Sequence, residues 1–124
     1  MNKINTDENF DLLKGNALFK DISNKDLKMI EGLVKEHVYL PSEYIIKEDE
    51  DDASEFYLIK FGEVEILKRS SDDSIDKHYC IATLSTGETI GEVALLEGEN
   101  RTASARALTE TTVLVIPLEK ILEL

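Results

Sequence analysis

Three residues in the last third of the chain, Gly91, Glu92 and Arg101, have the types and spacing needed to bind a small phosphate ester. Gly91 precedes a run of helix-forming residues, and the first turn of a helix presents unpaired backbone N–H groups that favour an anion. Glycine there lets a ligand approach the backbone closely, because no Cβ intervenes. Arg101 offers a planar, permanently charged fork for phosphate oxygens. Glu92 is an acceptor better suited to a sugar hydroxyl, so the pattern indicates a nucleotide held by phosphate and ribose together.

The overall charge limits the class of ligand. The 124 residues carry a formal net charge of −12, from 26 acidic and 14 basic residues. Nucleic acid is therefore an improbable partner, because the few cations are scattered along the chain and a polyanion would be repelled. A small monoanion is compatible with this charge, since one buried arginine can bind it within an acidic protein.

The first residues of the sequence and its cysteine content indicate the cellular compartment. Cys80 is the single cysteine, which excludes an intrachain disulfide and suggests a reducing compartment. We expect Cys80 to be a core residue, because it lies in an apolar strand. The residues from Met1 to Glu8 lack the apolar core of a signal peptide, and no apolar run approaches the roughly 20 residues of a membrane span. These features predict a soluble, cytoplasmic protein with no membrane span.

The N-terminal third has helical periodicity. A short helix and a hydrophobic turn are predicted from Phe10 to Phe19. Ser23 is a good N-cap with Asp26 three positions later, and the next apolar residues share one helix face. These apolar residues are Leu27, Ile30, Leu33 and Val34. The second helix is predicted to end near Lys35–Glu36.

From His37 onward the pattern changes to short strands rich in β-branched and aromatic residues, bounded by turn formers. The predicted strands are Val38–Leu40, Tyr44–Ile46, Phe56–Ile59, Val64–Leu67, Tyr79–Ala82 and Thr112–Ile116. Gly62 is expected to supply a positive φ in a tight hairpin. One or two helical turns are predicted over residues 90–98, and Pro117 is predicted to begin a last helix.

These elements predict a single domain over residues 1–124 that is mainly β with flanking helices. Helices occupy residues 8–36, an antiparallel β-roll of jelly-roll type occupies 37–116, and a C-terminal helix starts at 117–124. Strands this short, at this spacing, favour a roll over alternating strand and helix units.

The stretch from Gly91 to Ala107 resembles the phosphate-binding cassette of cyclic-nucleotide-binding domains. That family's usual pattern is F-G-E-L-A-L, a short variable loop, then R-[AT]-A. This chain has Ile90-Gly91-Glu92-Val93-Ala94-Leu95 and, at the same spacing, Arg101-Thr102-Ala103-Ser104. Leu18–Ser23 also resembles the family's N-terminal helical motif, and Phe56–Val64 resembles its central hairpin, so the resemblance covers roughly residues 17 to 118.

The resemblance implies a role for each matched residue. Arg101 would pair with the exocyclic phosphate oxygens, and Glu92 would accept from the ribose 2′-OH. The amides of Ala94 and Thr102 would donate to the phosphate, while the Thr102 hydroxyl could reach either the phosphate or a guanine amino group. The remaining predicted ligand-binding residues are Gly91, Val93 and Ala103 in the cassette and Val64, Ala82 and Leu84 at positions that flank the base.

The implied function is reversible binding of cAMP or cGMP, without catalysis and without a further cofactor. In the family, ligand docking moves the C-terminal helix, which signals to an effector domain or partner protein that this chain does not contain. The sequence departs from the family pattern in four places. Ile90 replaces an aromatic residue, Ser42 and Glu50 stand where glycines are frequent, and Asn100 replaces a proline.

Two other classes of function compete with this prediction. One is a domain that kept the fold, lost the ligand and binds a protein partner, for example through Ile121–Leu124. The other is a cupin-like enzyme, which would need several metal-ligating side chains, whereas His37 and His78 are the only histidines. The acidic run Glu48–Asp52 lacks the glycine and the bidentate glutamate of a calcium loop and is interpreted as a solvated turn.

Overall fold

The computed structural model describes residues 6–49, 54–70, 77–92 and 101–122. The N-terminal part folds into α1 (Thr6–Gly15), a 3-10 turn (Ala17–Phe19) and α2 (Asn24–Leu33). Ser23 caps α2 as predicted, because its hydroxyl accepts from the Asp26 amide at 3.2 Å. The helix ends at Leu33, before the predicted end at Lys35–Glu36. Lys35 instead begins a strand, and pairing with the β-sheet overrides the helical pattern there.

The described strands form two antiparallel four-stranded sheets, which confirms the predicted β-roll class. The first sheet has the order β1-β8-β3-β6, and the second has the order β2-β7-β4-β5. The strands are β1 (Lys35–Tyr39), β2 (Tyr44–Ile46), β3 (Glu55–Phe61), β4 (Val64–Arg69), β5 (His78–Leu84), β6 (Thr89–Ile90), β7 (Ser104–Ala107) and β8 (Thr111–Pro117).

Two of these strands were not predicted, and both border the site. Strand β6 has only two residues, too few to show any periodicity. Strand β7 reads Ser-Ala-Arg-Ala and contains no β-branched or aromatic residue. Its place is set by tertiary pairing, since it lies hydrogen-bonded between β2 and β4. The other six strands overlap the predicted ones.

The first sheet carries apolar side chains on both faces, because successive residues of a strand point to opposite sides. One face packs against the helices, with Leu58 and Leu114 covered by Leu13, Leu27 and Ile30. The other face meets the second sheet. That second cluster contains Ile45, Ile46, Ile59, Val64, Ile90, Ala105 and Val113. The helices therefore cover the outer face of the first sheet, and the core between the two sheets supports its inner face.

The turn at Gly62 has the predicted left-handed backbone, with φ at +105°. A Cβ at this position would lie 2.6 Å from Thr111 Oγ1 and 2.7 Å from the Glu110 carbonyl oxygen. The hairpin between β3 and β4 therefore needs glycine for both its dihedral angle and its space.

The prediction that Cys80 is a core residue is wrong. Cys80 is exposed on β5, where Tyr79 and Ile81 are also about half exposed, at 52% and 55%. Among the described strands, β5 lies at one edge of its sheet and pairs with β4 alone. An apolar run in the sequence does not reveal whether a strand lies at a sheet edge or has a covered face.

The chain leaves β8 at Pro117 and enters α3 (Leu118–Leu122), so the last helix begins one residue after the predicted start. The Leu118 amide donates to the Ser54 carbonyl at 3.3 Å, which fixes the helix start beside the first residue of β3. Within the described ranges, no helix is long and apolar enough to cross a membrane.

Candidate functional site

The predicted phosphate-binding residues line a cavity of about 180 Å³ between the second sheet and the segment after β6. Apolar side chains, Ile46, Ile66, Leu84 and Ile90, supply much of its wall. The other lining residues are Thr89, Gly91, Glu92, Arg101, Thr102, Ala103 and Ser104. The structure therefore brings together Gly91, Glu92, Arg101, Thr102, Ala103 and Leu84 of the predicted set.

Arg101 is the most deeply buried charged residue of this cavity, with only 3% of its surface exposed. Its Nη1 donates to the Gly91 carbonyl oxygen at 2.7 Å, and its Nη2 donates to the Glu55 carbonyl oxygen at 2.6 Å. These bonds orient the guanidinium group by two fixed main-chain acceptors. They also tie the start of β3 to the end of β6, a structural role for Arg101 that the sequence did not predict.

Gly91 lies so close to Arg101 that any side chain there would require the guanidinium group to shift. Its φ is +85°, in the left-handed region that favours glycine. A Cβ there would lie 2.5 Å from Arg101 Nη1 and 3.3 Å from its Cζ. Glycine was predicted here because it permits close approach of a ligand. The structure adds that glycine is needed to make room for the arginine itself.

Glu92 follows directly and is the first helical residue after β6. It is partly buried and lines the cavity with Arg101. Most of the helix predicted over residues 90–98 falls outside the described residues, from residue 93 onward. Val93 and Ala94 fall in that segment, so their expected roles stay predictions.

The three residues predicted to flank the base lie on β4 and β5 but in different surroundings. Val64 is fully buried in the core between the sheets and is not among the lining residues. It pairs with Leu84, which does line the cavity. Ala82 is exposed on the edge strand and pairs with Ile66, a lining residue that the sequence did not single out. Of these three residues, the structure therefore brings Leu84 to the cavity, and it places Val64 in the core between the sheets.

The segment after Arg101 is held by three further hydrogen bonds. The Arg101 carbonyl accepts from the Asp49 amide at 2.7 Å. The Thr102 carbonyl accepts from Lys68 Nζ. The buried Ser104 hydroxyl accepts from the Glu48 amide at 2.8 Å. The role of Lys68 was not predicted from the sequence. Its period-two spacing from Val64 and Ile66 is a signal that places it on the same face of β4.

Arg101 is also close to the start of α3 through the main chain. Glu55, whose carbonyl it contacts, pairs with Pro117 across β3 and β8. The preceding residue, Ser54, accepts from the Leu118 amide. The guanidinium group and the first residue of α3 are therefore connected through Ser54 and Glu55, two consecutive residues where β3 begins.

A second arginine provides a useful contrast. Arg106 lies on β7, where its Nε and Nη2 donate to Glu65 Oε2 at 3.0 Å and 2.8 Å. This bond raises the pKa of Arg106 above its usual value. Arg106 is not among the residues that line the cavity. The two arginines therefore have different surroundings, one among main-chain carbonyls at the cavity and one in a carboxylate pair outside it.

The described residues include no group of three or more His, Cys, Asp or Glu side chains that could hold a metal ion. Most of the acidic run, residues 50–52, lies outside the described ranges. Of its first residues, Glu48 accepts from the Arg69 amide at 2.9 Å through Oε1. Among the described residues, the lining of the cavity consists of one cation, one carboxylate, a few hydroxyl groups and an apolar wall.

Known proteins resemble this chain in sequence and in fold. The family model of the cyclic nucleotide-binding domain matches residues 36–124. The chain is 33% identical over 103 residues to a cAMP-dependent protein kinase regulatory subunit of Eremothecium gossypii. That match covers 83% of this chain and 21% of the relative, so the chain spans about a fifth of the relative's length.

Solved structures share the fold. Cyclic-AMP-bound PfPKA-R (141–441) superposes with a TM-score of 0.87 at 24% identity, over 99% of this chain and 42% of that one. The regulatory subunit of a cAMP-independent protein kinase A from Trypanosoma brucei superposes with a TM-score of 0.78 at 19% identity, over 90% and 40% of the two chains.

Proposed function

Because this chain belongs to the cyclic nucleotide-binding domain family, we propose that it binds cAMP or cGMP reversibly in the described cavity. It acts in this proposal as a regulatory sensor that performs no chemistry on its ligand and needs no cofactor. The observation that carries the proposal is the buried Arg101, which lines the cavity beside Gly91 with its guanidinium group fixed by two carbonyl oxygens. A positioned cation in an apolar cavity binds an anion more strongly than an exposed one.

The proposed ligand contacts follow from the lining residues. Among the described residues, two main-chain bonds engage two of the five N–H donors of the guanidinium group, and in this proposal other donors of the group bind the phosphate oxygens. Glu92 accepts from the ribose 2′-OH, and the main-chain amides of Ala94 and Thr102 donate to the phosphate. The apolar side chains, Ile66 and Leu84 among them, contact the purine. A ligand that is anionic at one end and apolar at the other fits this distribution.

The proposed signal passes from Arg101 to α3. A phosphate that shifts the guanidinium group also moves its acceptor, the Glu55 carbonyl. The neighbouring Ser54 carbonyl holds the Leu118 amide, so the start of α3 responds to the occupied site. Ligand binding then changes the population of two packings of α3, which is how a sensor of this kind signals to an effector domain or partner protein. In this proposal the protein acts in the cytoplasm.

A second candidate is a domain that keeps the fold for protein interaction and binds no cyclic nucleotide. The structural role of Arg101 favours it, because its bonds to Gly91 and Glu55 could retain the arginine without a ligand. Glu92 argues against it, since those bonds do not require a carboxylate at the neighbouring position.

Titration calorimetry of the chain with cAMP, cGMP and 5′-AMP distinguishes the two candidates. The sensor proposal predicts saturable binding of a cyclic nucleotide and weaker binding of 5′-AMP, whose open phosphate carries an additional charge. Absence of binding by either cyclic nucleotide to the folded chain would favour the interaction module. Amide hydrogen exchange at Leu118–Leu122, with and without cAMP, tests the proposed route to α3, and unchanged exchange in the bound state would contradict it.

A further inference from the structure

Strand β4 places a lysine at the rim of the cavity. Along β4, Ile66 lines the cavity, and Lys68 lies two residues further on the same strand face. Lys68 is partly buried, and its Nζ donates to the carbonyl oxygen of Thr102. Thr102 lines the cavity and directly follows Arg101. The ammonium group therefore lies next to the segment that carries the buried arginine.

This contact fixes the orientation of a peptide unit in the site. The carbonyl of Thr102 and the N–H of Ala103 point in opposite directions across a trans peptide bond. Holding the carbonyl towards Lys68 therefore holds the Ala103 N–H away from it. It also limits rotation of the segment 101–103, whose three residues all line the cavity.

The lysine also changes the charge balance of the site. The charged residues among the described lining residues are Glu92 and Arg101, and their charges cancel. A cyclic phosphodiester carries one negative charge, and in the proposed pose it contacts Arg101 while Glu92 accepts from the ribose. Lys68 adds a second cation beside the segment that carries Arg101, in a chain whose formal net charge is −12.

We propose that Lys68 is a positioning residue of the nucleotide site, which orients the Thr102–Ala103 peptide and supplies the second positive charge facing the phosphate end of the ligand. This inference rests on the proposed function. It concerns both cyclic nucleotides equally, because the phosphate is common to them.

The test compares Lys68→Met, Lys68→Arg and Lys77→Met by calorimetry with cAMP and cGMP at low and moderate salt. Lys77 is an exposed lysine just before β5, and its main-chain carbonyl accepts from the Ser70 amide. Lys77→Met therefore removes one positive charge beside the same sheet and keeps this main-chain bond. Lys68→Met is expected to weaken both nucleotides about 5- to 20-fold, the scale of a partly exposed charged hydrogen bond. Lys68→Arg should retain affinity within about threefold, since it keeps the charge and a donor. The affinity of Lys68→Met should also fall less steeply with salt than that of Lys77→Met.

Equal affinities for Lys68→Met and Lys77→Met would overturn the inference while leaving the proposed function intact. Failure of the wild-type chain to bind either nucleotide would overturn the proposed function, and the ligand role of Lys68 with it. The contact itself is measured in the ligand-free protein from the carbonyl ¹³C resonance of Thr102. A resonance that is the same in wild type and Lys68→Met would show that the contact does not exist.

Discussion

The carbonyl oxygen of Gly91 accepts a hydrogen bond from Arg101 Nη1 at 2.7 Å, and a methyl group on Gly91 would fit only if the guanidinium group moved. A Cβ on Gly91 would lie 2.5 Å from the same nitrogen. The position of the guanidinium group therefore depends on a glycine ten residues earlier in the chain. Substitution of either residue should disturb the same site.

Gly91→Ala is expected to weaken cyclic-nucleotide binding by more than about tenfold, because the methyl group displaces the guanidinium group. Gly87→Ala is the matched control. Gly87 also has a positive φ, +93°, but a Cβ there meets nothing within 4 Å. Both variants should lose about 1–2 kcal/mol of stability from backbone strain. Comparable losses of affinity in the two folded variants would contradict the steric argument.

Glu92→Gln tests the ribose contact. A carboxylate that accepts from a hydroxyl contributes about 1.5–3 kcal/mol, so wild type should bind 2′-deoxy-cAMP more weakly than cAMP. The variant should lose most of that discrimination, whereas Glu110→Gln, an exposed residue between β7 and β8, should retain it. If wild type binds the deoxy analogue as tightly as cAMP, Glu92 is not the ribose anchor.

Thr102→Ala tests nucleotide selectivity, and Thr102→Ser serves as a control that keeps the hydroxyl group. If the hydroxyl contacts phosphate, its removal should weaken the binding of cAMP and of cGMP equally. A hydroxyl that contacts the guanine amino group should cost cGMP about 1 kcal/mol more. We expect equal losses, and wild-type affinities for the two nucleotides within about tenfold of each other. A cGMP-specific loss, absent in Thr102→Ser, would assign the residue to base recognition instead.

Ser42→Gly is expected to stabilise the fold. Ser42 has a φ of +76° in the turn that joins β1 to β2, where the Glu43 amide donates to the Leu40 carbonyl at 3.0 Å. Glycine relieves the left-handed strain at the cost of a more flexible unfolded chain, for a net gain of about 0.5–1 kcal/mol in the free energy of unfolding. Ser42→Ala keeps the strain and should show no gain in urea denaturation. A stabilised alanine variant would indicate that the hydroxyl, rather than the backbone, is unfavourable.

The sequence could predict the parts of this fold that depend on local patterns. The cap at Ser23, the hairpin glycine at Gly62 and the strand at Tyr44–Ile46 follow from side-chain chemistry or periodicity, and the structure confirms them. The edge position of β5 could not be predicted, and Cys80 was misplaced for that reason. Strand β7 likewise depends on its two neighbours rather than on its own residues.

Some residues of the candidate site could likewise be predicted from the sequence, and others could not. Gly91, Glu92 and Arg101 were predicted from residue types and spacing, and the structure places all three at one cavity. The acceptor at Glu55 could not be predicted, because it is a main-chain carbonyl on a distant strand and has no signature in the side chain. Lys68 reaches the site only through the pairing of β4 with β7, which the sequence did not predict.

The affinity of Arg101→Ala for cAMP and cGMP, measured by calorimetry beside Arg106→Ala, shows whether Arg101 binds the phosphate of the ligand. Arg106→Ala removes an arginine that is paired with Glu65 outside the cavity and should retain wild-type affinity within about threefold. Arg101→Ala should lose a few hundredfold or more, because removing one partner of a desolvated charge pair costs about 3–5 kcal/mol. Circular dichroism verifies that the variant is folded, and Arg101→Lys, which keeps a charge without the fork, should regain only part of the affinity. Affinity should therefore be highest for wild type and Arg106→Ala, lower for Arg101→Lys and lowest for Arg101→Ala. A folded Arg101→Ala variant that binds cyclic nucleotide as tightly as wild type would contradict the phosphate role of Arg101.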